Sequence, residues 1–172
     1  EYMLNVPESY DFEDKEVVLE TKTQLELECL VNGEVMPIED ASDSMFAHKL
    51  MGDGIMIRPC DGVVVAPCDG VISMIYPTKH AIGITIDDNT QILIHFGTDS
   101  AKLNGKGFEL LVKPNQKVKA GDVLWNADLK YIKENALDEN IIVVFTKIKD
   151  GVELEKKYGK MQCHDMMLRV KG

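Results

Sequence analysis

The stretch HAIGITIDDNTQILIHFG, residues 80–97, decides the fold because it contains two apolar runs separated by turn-forming residues. Residues 81–86 and 91–96 are rich in isoleucine, which is typical of β-strands. Residues 87–90 between them supply the side chains that favour a tight turn. The stretch therefore predicts an antiparallel hairpin with a histidine, His80 or His95, at each of its outer ends.

The register of this hairpin determines whether the two histidines meet. With a turn centred on residues 88–89, Ile82 lies opposite His95. His80 then lies opposite Gly97, on the same face as His95 and diagonal to it. Diagonal neighbours are about 7–8 Å apart, which long side chains can span, whereas a shift of one residue would place the rings on opposite faces. This register predicts a pair of imidazoles on one face.

Paired neutral imidazoles have several chemical uses: they bind metals, move protons or attack phosphorus. Thr78 lies two residues before His80 and is suited to orient its ring, and Asp99 offers a carboxylate near the end of the second strand. The spacing equally allows Thr78 to be a residue that begins a strand and Asp99 to be a turn residue. Gly97 removes a side chain where another molecule would approach His95.

Composition places the chain among globular proteins. It has 172 residues, of which 45% are hydrophobic and 28% charged, as is usual for one domain with its own core. The net charge of −10 argues against nucleic acid and anionic membranes as partners. No apolar run approaches the roughly 20 residues of a membrane span, so we expect no membrane insertion of this segment. We expect a cytoplasmic location, since no signal-peptide pattern is present.

Patterning along the chain predicts two parts. Residues 1–24 are acidic with little periodicity, and we expect a linker or arm from a longer chain. Residues 25–172 contain short apolar runs separated by turn dipeptides, including near-copies at residues 59–64 and 67–72. This pattern predicts an all-β fold, an antiparallel β-sandwich or barrel-sandwich. Helical pattern is confined to one turn near residues 44–50 and a second at residues 129–135.

Several motifs occur in a coherent order from about residue 25 to residue 172. They are Phe46-Ala47, Gly52-Asp53-Gly54-Ile55, Ala66-Pro67, Asp69-Gly70, Pro77-Thr78-Lys79-His80-Ala81, His95-Phe96-Gly97, and the runs 103–108, 118–122 and 143–146. Together they resemble the glucose-type enzyme IIA domain of the bacterial phosphoenolpyruvate-dependent sugar phosphotransferase system. The resemblance implies a β-sandwich built from a duplicated hybrid motif, and a phosphocarrier function that needs neither cofactor nor metal.

The resemblance also implies residue roles. His95 would accept a phosphoryl group from the phosphohistidine carrier protein and pass it to an enzyme IIB domain, which can lie in the same polypeptide, tethered to a membrane permease domain. His80 would contact the phosphoryl group and support its onward transfer. Thr78 would hold the ring of His80, and Asp99 would flank the site. The sugar would be chosen by the IIB and IIC partners.

Docking of two proteins around an exposed histidine favours a shallow apolar rim. By correspondence with the family, the rim would comprise Met45, Phe46, Leu50, Met51 and Tyr76, together with Gly97. Some of these, Leu50 and Met51 above all, have an ordinary alternative as core residues. The sequence departs from the family pattern near the site, where Thr98 replaces an aliphatic residue, Ser100 a threonine and Ala101 a valine. Two of these departures, Thr98 and Ala101, make the rim less apolar.

Two other functions are consistent with parts of the pattern. One is an enzyme IIA-like regulatory module of a sugar transporter outside the phosphotransferase system, controlled by phosphorylation of His95. The other is a zinc hydrolase, which needs an H-x-H pair and a further ligand. Because Phe96-Gly97 follows His95, that pair is absent. The phosphocarrier interpretation is the one that uses the whole pattern.

Overall fold

The computed structural model describes residues 24–172, and antiparallel strands dominate this part of the chain. The strands are β1 (Leu25–Glu28), β2 (Gly33–Pro37), β3 (Gly54–Pro59), β4 (Val63–Val65), β5 (Gly70–Ile75), β6 (Ala81–Asp87), β7 (Thr90–Thr98), β8 (Phe108–Leu110), β9 (Lys117–Val118), β10 (Val123–Ala127), β11 (Asp138–Lys147), β12 (Glu153–Lys156), β13 (Gly159–Met161) and β14 (Met166–Lys171). The all-β prediction is confirmed. The predicted acidic arm lies, apart from Gln24, outside the described residues.

Two short helices interrupt the strands, α1 (Ser44–Ala47) and α2 (Leu129–Asn135). Each begins at an aspartate whose carboxylate accepts a hydrogen bond from a backbone N–H of the first turn, from Met45 to Asp43 and from Tyr131 to Asp128. Both predicted helical turns are confirmed, although α1 ends at Ala47, earlier than predicted. Within residues 24–172, no helix is long and apolar enough to cross a membrane.

Eight strands form the large sheet, in the order β13-β2-β3-β11-β7-β6-β5-β9. Two three-stranded sheets, β1-β14-β12 and β4-β10-β8, cover one of its faces. The main core lies between the large sheet and the smaller ones and includes the fully buried Trp125 and Phe96. A second, smaller apolar cluster covers the opposite face of the large sheet, and it consists of Ile38, Phe46, Met56, Ala81, Leu93, Ile142 and Val144.

Side-chain alternation along β7 determines which face His95 occupies. Ile92, Ile94 and Phe96 point into the main core, whereas Leu93 belongs to the smaller cluster on the other face. Since residues two apart on a strand share a face, His95 lies on the side of Leu93. The imidazole therefore projects from the face that α1 partly covers.

The observed hairpin register differs from the predicted one by one residue. Asp87 pairs with Thr90 as the predicted turn requires, but the register then shifts between Thr85 and Asp87. As a result Ala81, rather than Ile82, lies opposite His95. The predicted register was wrong because it assumed regular pairing, whereas a β-bulge adds one residue to one strand.

A paired-histidine site on the large sheet

The ring of His95 is half-buried at the centre of the large sheet. Its strand β7 lies between β6 and β11, where Ala81 and Ile142 are its cross-strand neighbours. The ring of Phe46, from α1, packs against it at 5.1 Å between ring centroids. These contacts hold the imidazole in place while leaving one side open to solvent.

His80 lies in a bend just before β6, outside the strand. Lys79 precedes it with a φ of +62°, and the Lys79 carbonyl accepts a 2.8 Å hydrogen bond from Nε1 of the buried Trp125. The His80 carbonyl accepts a 2.7 Å bond from the backbone N–H of Phe96. Because His80 is not part of the strand, strand alternation does not fix its side chain, and its ring reaches the face of His95.

The two imidazole rings meet. Their centroids are 4.7 Å apart with an interplanar angle of 83°, an edge-to-face contact. The predicted meeting of the rings is confirmed, although the bend before β6 produces it rather than diagonal pairing within the hairpin. Thr78 Oγ1 lies 2.7 Å from Nδ1 of His80, and the ring of Tyr76 packs edge-on against His80 at 5.2 Å. Contacts with Thr78, Tyr76 and His95 thus fix the orientation of the His80 ring.

Burial determines the charge state of both rings. Desolvation, followed by the neighbouring His95, lowers the pKa of His80 from 6.5 to about 4, and only 3% of this residue is exposed. Burial also lowers the pKa of His95, against the opposing effects of the Gly97 backbone and of the carboxylates of Asp43 and Asp138. Both rings are therefore neutral near pH 7, which is the state in which imidazole is nucleophilic.

The two nitrogens of His95 have different environments. Nδ1 is buried and has no hydrogen-bond partner of ordinary geometry within residues 24–172, although the Gly97 backbone is close enough to raise the pKa of the ring as an acceptor. Because His95 as a whole is only half-buried, we infer that Nε2 is the ring nitrogen that another molecule can reach. The site thus presents one nucleophilic atom, beside a second imidazole whose orientation is fixed.

Gly97 has a structural reason to be glycine. Its φ is +83°, and a Cβ there would lie 3.0 Å from Cβ of Ser100 and 3.3 Å from the Asp138 carbonyl. Ser100 in turn donates a 2.7 Å hydrogen bond from Oγ to the Phe96 carbonyl. The space beside Gly97 is therefore occupied by its own chain, and the contact of Gly97 with a partner stays a prediction.

Most of the predicted rim residues lie in α1 or in the loop after it, whereas Tyr76 follows β5. Met45 is 47% and Leu50 70% exposed, so the alternative of Leu50 as a core residue is wrong. Phe46 is almost fully buried, and Met51 and Tyr76 are half-buried against the smaller apolar cluster. Among the predicted rim residues, Met45 and Leu50 therefore have the most exposed apolar side chains.

The two carboxylates near the end of β7 lie in different surroundings. Asp99 is exposed and forms a 3.1 Å ion pair with Lys102, and its flanking role stays a prediction. Asp138, which the sequence did not indicate, accepts a 2.7 Å hydrogen bond from Oγ1 of Thr98 and a 3.0 Å bond from Oγ of Ser42. No local motif announces Asp138, because it reaches the site only through pairing of β11 with β7.

This arrangement defines a class of site. Transfer of a phosphoryl group to an imidazole needs an accessible nucleophile and donors that position the phosphoryl oxygens more than it needs acid–base machinery. Within residues 24–172, no three His, Cys, Asp or Glu side chains are grouped to hold a metal ion. The histidine pair is suited to carry a phosphoryl group between proteins.

Comparisons with known proteins agree with this class. Residues 25–151 match the family described as phosphoenolpyruvate-dependent sugar phosphotransferase system, EIIA 1. Over 141 residues, 82% of this chain, it is 43% identical to the PTS system glucose-specific EIICBA component of Staphylococcus carnosus (strain TM300), of which the match covers 21%. The solved structure of glucose permease IIA from Mycoplasma capricolum superimposes with a TM-score of 0.81 at 31% identity, covering 85% of this chain and 95% of that one.

The chain therefore belongs to the EIIA family of the phosphoenolpyruvate-dependent sugar phosphotransferase system. Its function is that of a phosphocarrier domain of this system, a phosphotransferase with a phosphohistidine intermediate. It spans about a fifth of the length of that curated relative.

Proposed function

We propose that Nε2 of His95 accepts the phosphoryl group from a phosphohistidine carrier protein and that a IIB domain receives it from there. The contact between the half-buried His95 ring and the His80 ring, which Thr78 orients, is the observation that carries the proposal. The neutral His95 ring provides a lone pair on Nε2. This lone pair forms the new N–P bond as the N–P bond of the donor breaks, and the proton on Nδ1 stays in place.

His80 serves in this proposal as the donor that positions the phosphoryl group. Its low pKa leaves the ring with a single proton near pH 7. If the Thr78 hydroxyl donates to Nδ1 of His80, the single ring proton of His80 resides on Nε2. From there it can be donated to a phosphoryl oxygen. Thr78 thus acts by selecting the tautomer of His80. Asp99 would flank the site at the exposed end of β7.

The relatives support the partners in this proposal. The Staphylococcus carnosus relative is an EIICBA component, which favours a IIB domain in the same polypeptide as this segment and a permease domain that tethers it at the cytoplasmic side of a membrane. It also favours this function over a regulatory module of a transporter outside the phosphotransferase system. Both relatives are described as glucose proteins, which favours a glucose-type transport system. Met45 and Leu50 would contact both partners in turn.

The variant His80→Gln tests the division of roles. We expect it to accept the phosphoryl group from the carrier protein at close to the normal extent, since the nucleophile is intact. Onward transfer should slow by about 10²-fold, the usual cost of removing one donor from a developing anionic charge. Rapid-quench measurement of radiolabel passing from the phosphorylated domain to a IIB domain gives this rate.

His164→Gln is the matched control, because it makes the same substitution at an exposed histidine beside Glu28. This variant should transfer at the wild-type rate. Onward transfer by His80→Gln at the rate of the control would rule out the role of His80.

A further inference from the structure

The carboxylate of Asp138 is tied to the two elements that carry the site. Thr98, three residues after His95 on β7, donates to Oδ1, and Ser42, from the loop before α1, donates to Oδ2. The backbone N–H of Asn140 donates a further 3.0 Å bond to Oδ1. A carboxylate that accepts three hydrogen bonds is held in one orientation.

Phosphorylation of His95 places a positive charge on a ring whose inner side is buried. When Nε2 forms the N–P bond and Nδ1 keeps its proton, the ring takes on one positive charge. Nδ1 is buried, and the Gly97 backbone, which raises the pKa of the ring as a hydrogen-bond acceptor, is uncharged and so cannot neutralise this charge. An unneutralised charge in such a place is costly, and a fixed charge of opposite sign lowers that cost through space.

We propose that Asp138 is a positioning residue for phosphoryl transfer, which acts through His95 by holding a fixed negative charge beside β7 that stabilises the cationic phosphorylated ring. The proposal rests on His95 being the phosphoryl acceptor. It assigns Thr98 and Ser42 the task of keeping the carboxylate in place. Transfer to the domain is thereby favoured, and the group is still released when a IIB domain attacks phosphorus and the ring regains its neutral state.

The titratable groups around His95 come from three elements. His80 approaches from the bend before β6, Asp43 from the N-terminus of α1 and Asp138 from β11. Both carboxylates raise the pKa of His95 against the lowering by burial. The Asp43 carboxylate is engaged in capping α1 through the N–H of Met45, whereas that of Asp138 spans β7 and the loop before α1.

The test compares Asp138→Asn with the wild-type domain. Asparagine keeps the shape and an oxygen acceptor but removes the charge. We expect the pKa of His95, measured by ¹H–¹⁵N NMR of the ring in the unphosphorylated protein, to fall below its wild-type value. The equilibrium constant for accepting a phosphoryl group from the carrier protein should fall about fivefold, as expected for a partly screened charge pair. Asp138→Glu, which restores the charge, should recover part of both values.

Asp150→Asn is the control for the lost charge, since Asp150 is exposed in the turn after β11. The double variant Ser42→Ala/Thr98→Val keeps the Asp138 charge but removes the two side-chain hydrogen bonds that hold the carboxylate in place. It should lower the pKa of His95 and the equilibrium constant for phosphoryl acceptance, each by less than Asp138→Asn does. It provides the second comparison if Asp138→Asn does not fold. The proposal would be overturned if the pKa of His95 and the equilibrium constant for phosphoryl acceptance were the same in Asp138→Asn as in Asp150→Asn. If Asp138→Asn does not fold, unchanged pKa and equilibrium constant in the double variant would overturn it. A wild-type domain that takes up no phosphoryl group would contradict the proposed function instead, while the pKa comparison would still decide the charge effect.

Discussion

Replacing His95 by glutamine is expected to abolish phosphorylation of the domain by phosphoenolpyruvate and the general phosphotransferase proteins. Glutamine fills a similar volume and keeps polar atoms in the site, but its amide is not a nucleophile. Loss of a nucleophile commonly lowers a rate by about 10³-fold or more. Intact-protein mass spectrometry of an acid-labile adduct measures the extent of labelling.

The fold should tolerate this substitution. His95 is half-buried, and its strand is held by backbone pairing with β6 and β11 on either side. We therefore expect thermal unfolding of His95→Gln close to that of the wild-type domain, so that lost labelling reports on chemistry. His164→Gln serves as the control and should be labelled normally. Labelling of folded His95→Gln at the wild-type level would show that the acceptor lies elsewhere.

Replacing Trp125 by alanine is expected to destabilise the domain by about 3–5 kcal/mol, the usual range for removing a large buried aromatic side chain. Trp125 is fully buried in the main core and packs edge-to-face on Phe96 at 5.5 Å between centroids. Its Nε1–H also donates to the Lys79 carbonyl just before His80. The truncation thus removes core volume and a buried hydrogen bond together. Urea unfolding followed by circular dichroism gives the free energy of unfolding.

Trp125→Phe separates the two contributions. Phenylalanine keeps most of the aromatic packing but cannot donate to Lys79, so its loss of stability should be clearly smaller than that of alanine. Release of the Lys79 carbonyl should loosen the bend that carries His80, and onward phosphoryl transfer should slow more than the acceptance step. A cost below about 1 kcal/mol for Trp125→Ala would contradict the place of this residue in the core.

The sequence predicted the hairpin well but not its register. Alternating isoleucines and a cluster of turn residues specify two strands and the turn, because they are local signals. The bulge between Thr85 and Asp87 leaves no such signal, and it moves Ala81 to the position opposite His95. The histidines meet despite this shift, since His80 lies in a bend where strand alternation does not apply.

Other features of the site depend on partners that are distant in sequence. The hydrogen bond from Trp125 to Lys79 and the contacts of Asp138 with Thr98 and Ser42 arise only when the sheets assemble. Spacing along the chain carries no information about them. Gly97 differs, because the sequence singled it out for another reason. Its pattern predicted a place where a partner approaches, whereas the structure requires glycine there because of the positive φ and of crowding from Ser100.

The central claim is that the phosphoryl group is carried on Nε2 of His95. The most direct test is NMR of the wild-type domain, labelled with ¹⁵N and phosphorylated by phosphoenolpyruvate and the general phosphotransferase proteins. Correlation of the ring protons with the ring nitrogens and with ³¹P identifies the phosphorylated atom. The structure predicts a single phosphorus coupled to Nε2 of His95, with His80 unmodified. Phosphorus bonded to Nδ1 of His95, to His80 or to any other residue would contradict it.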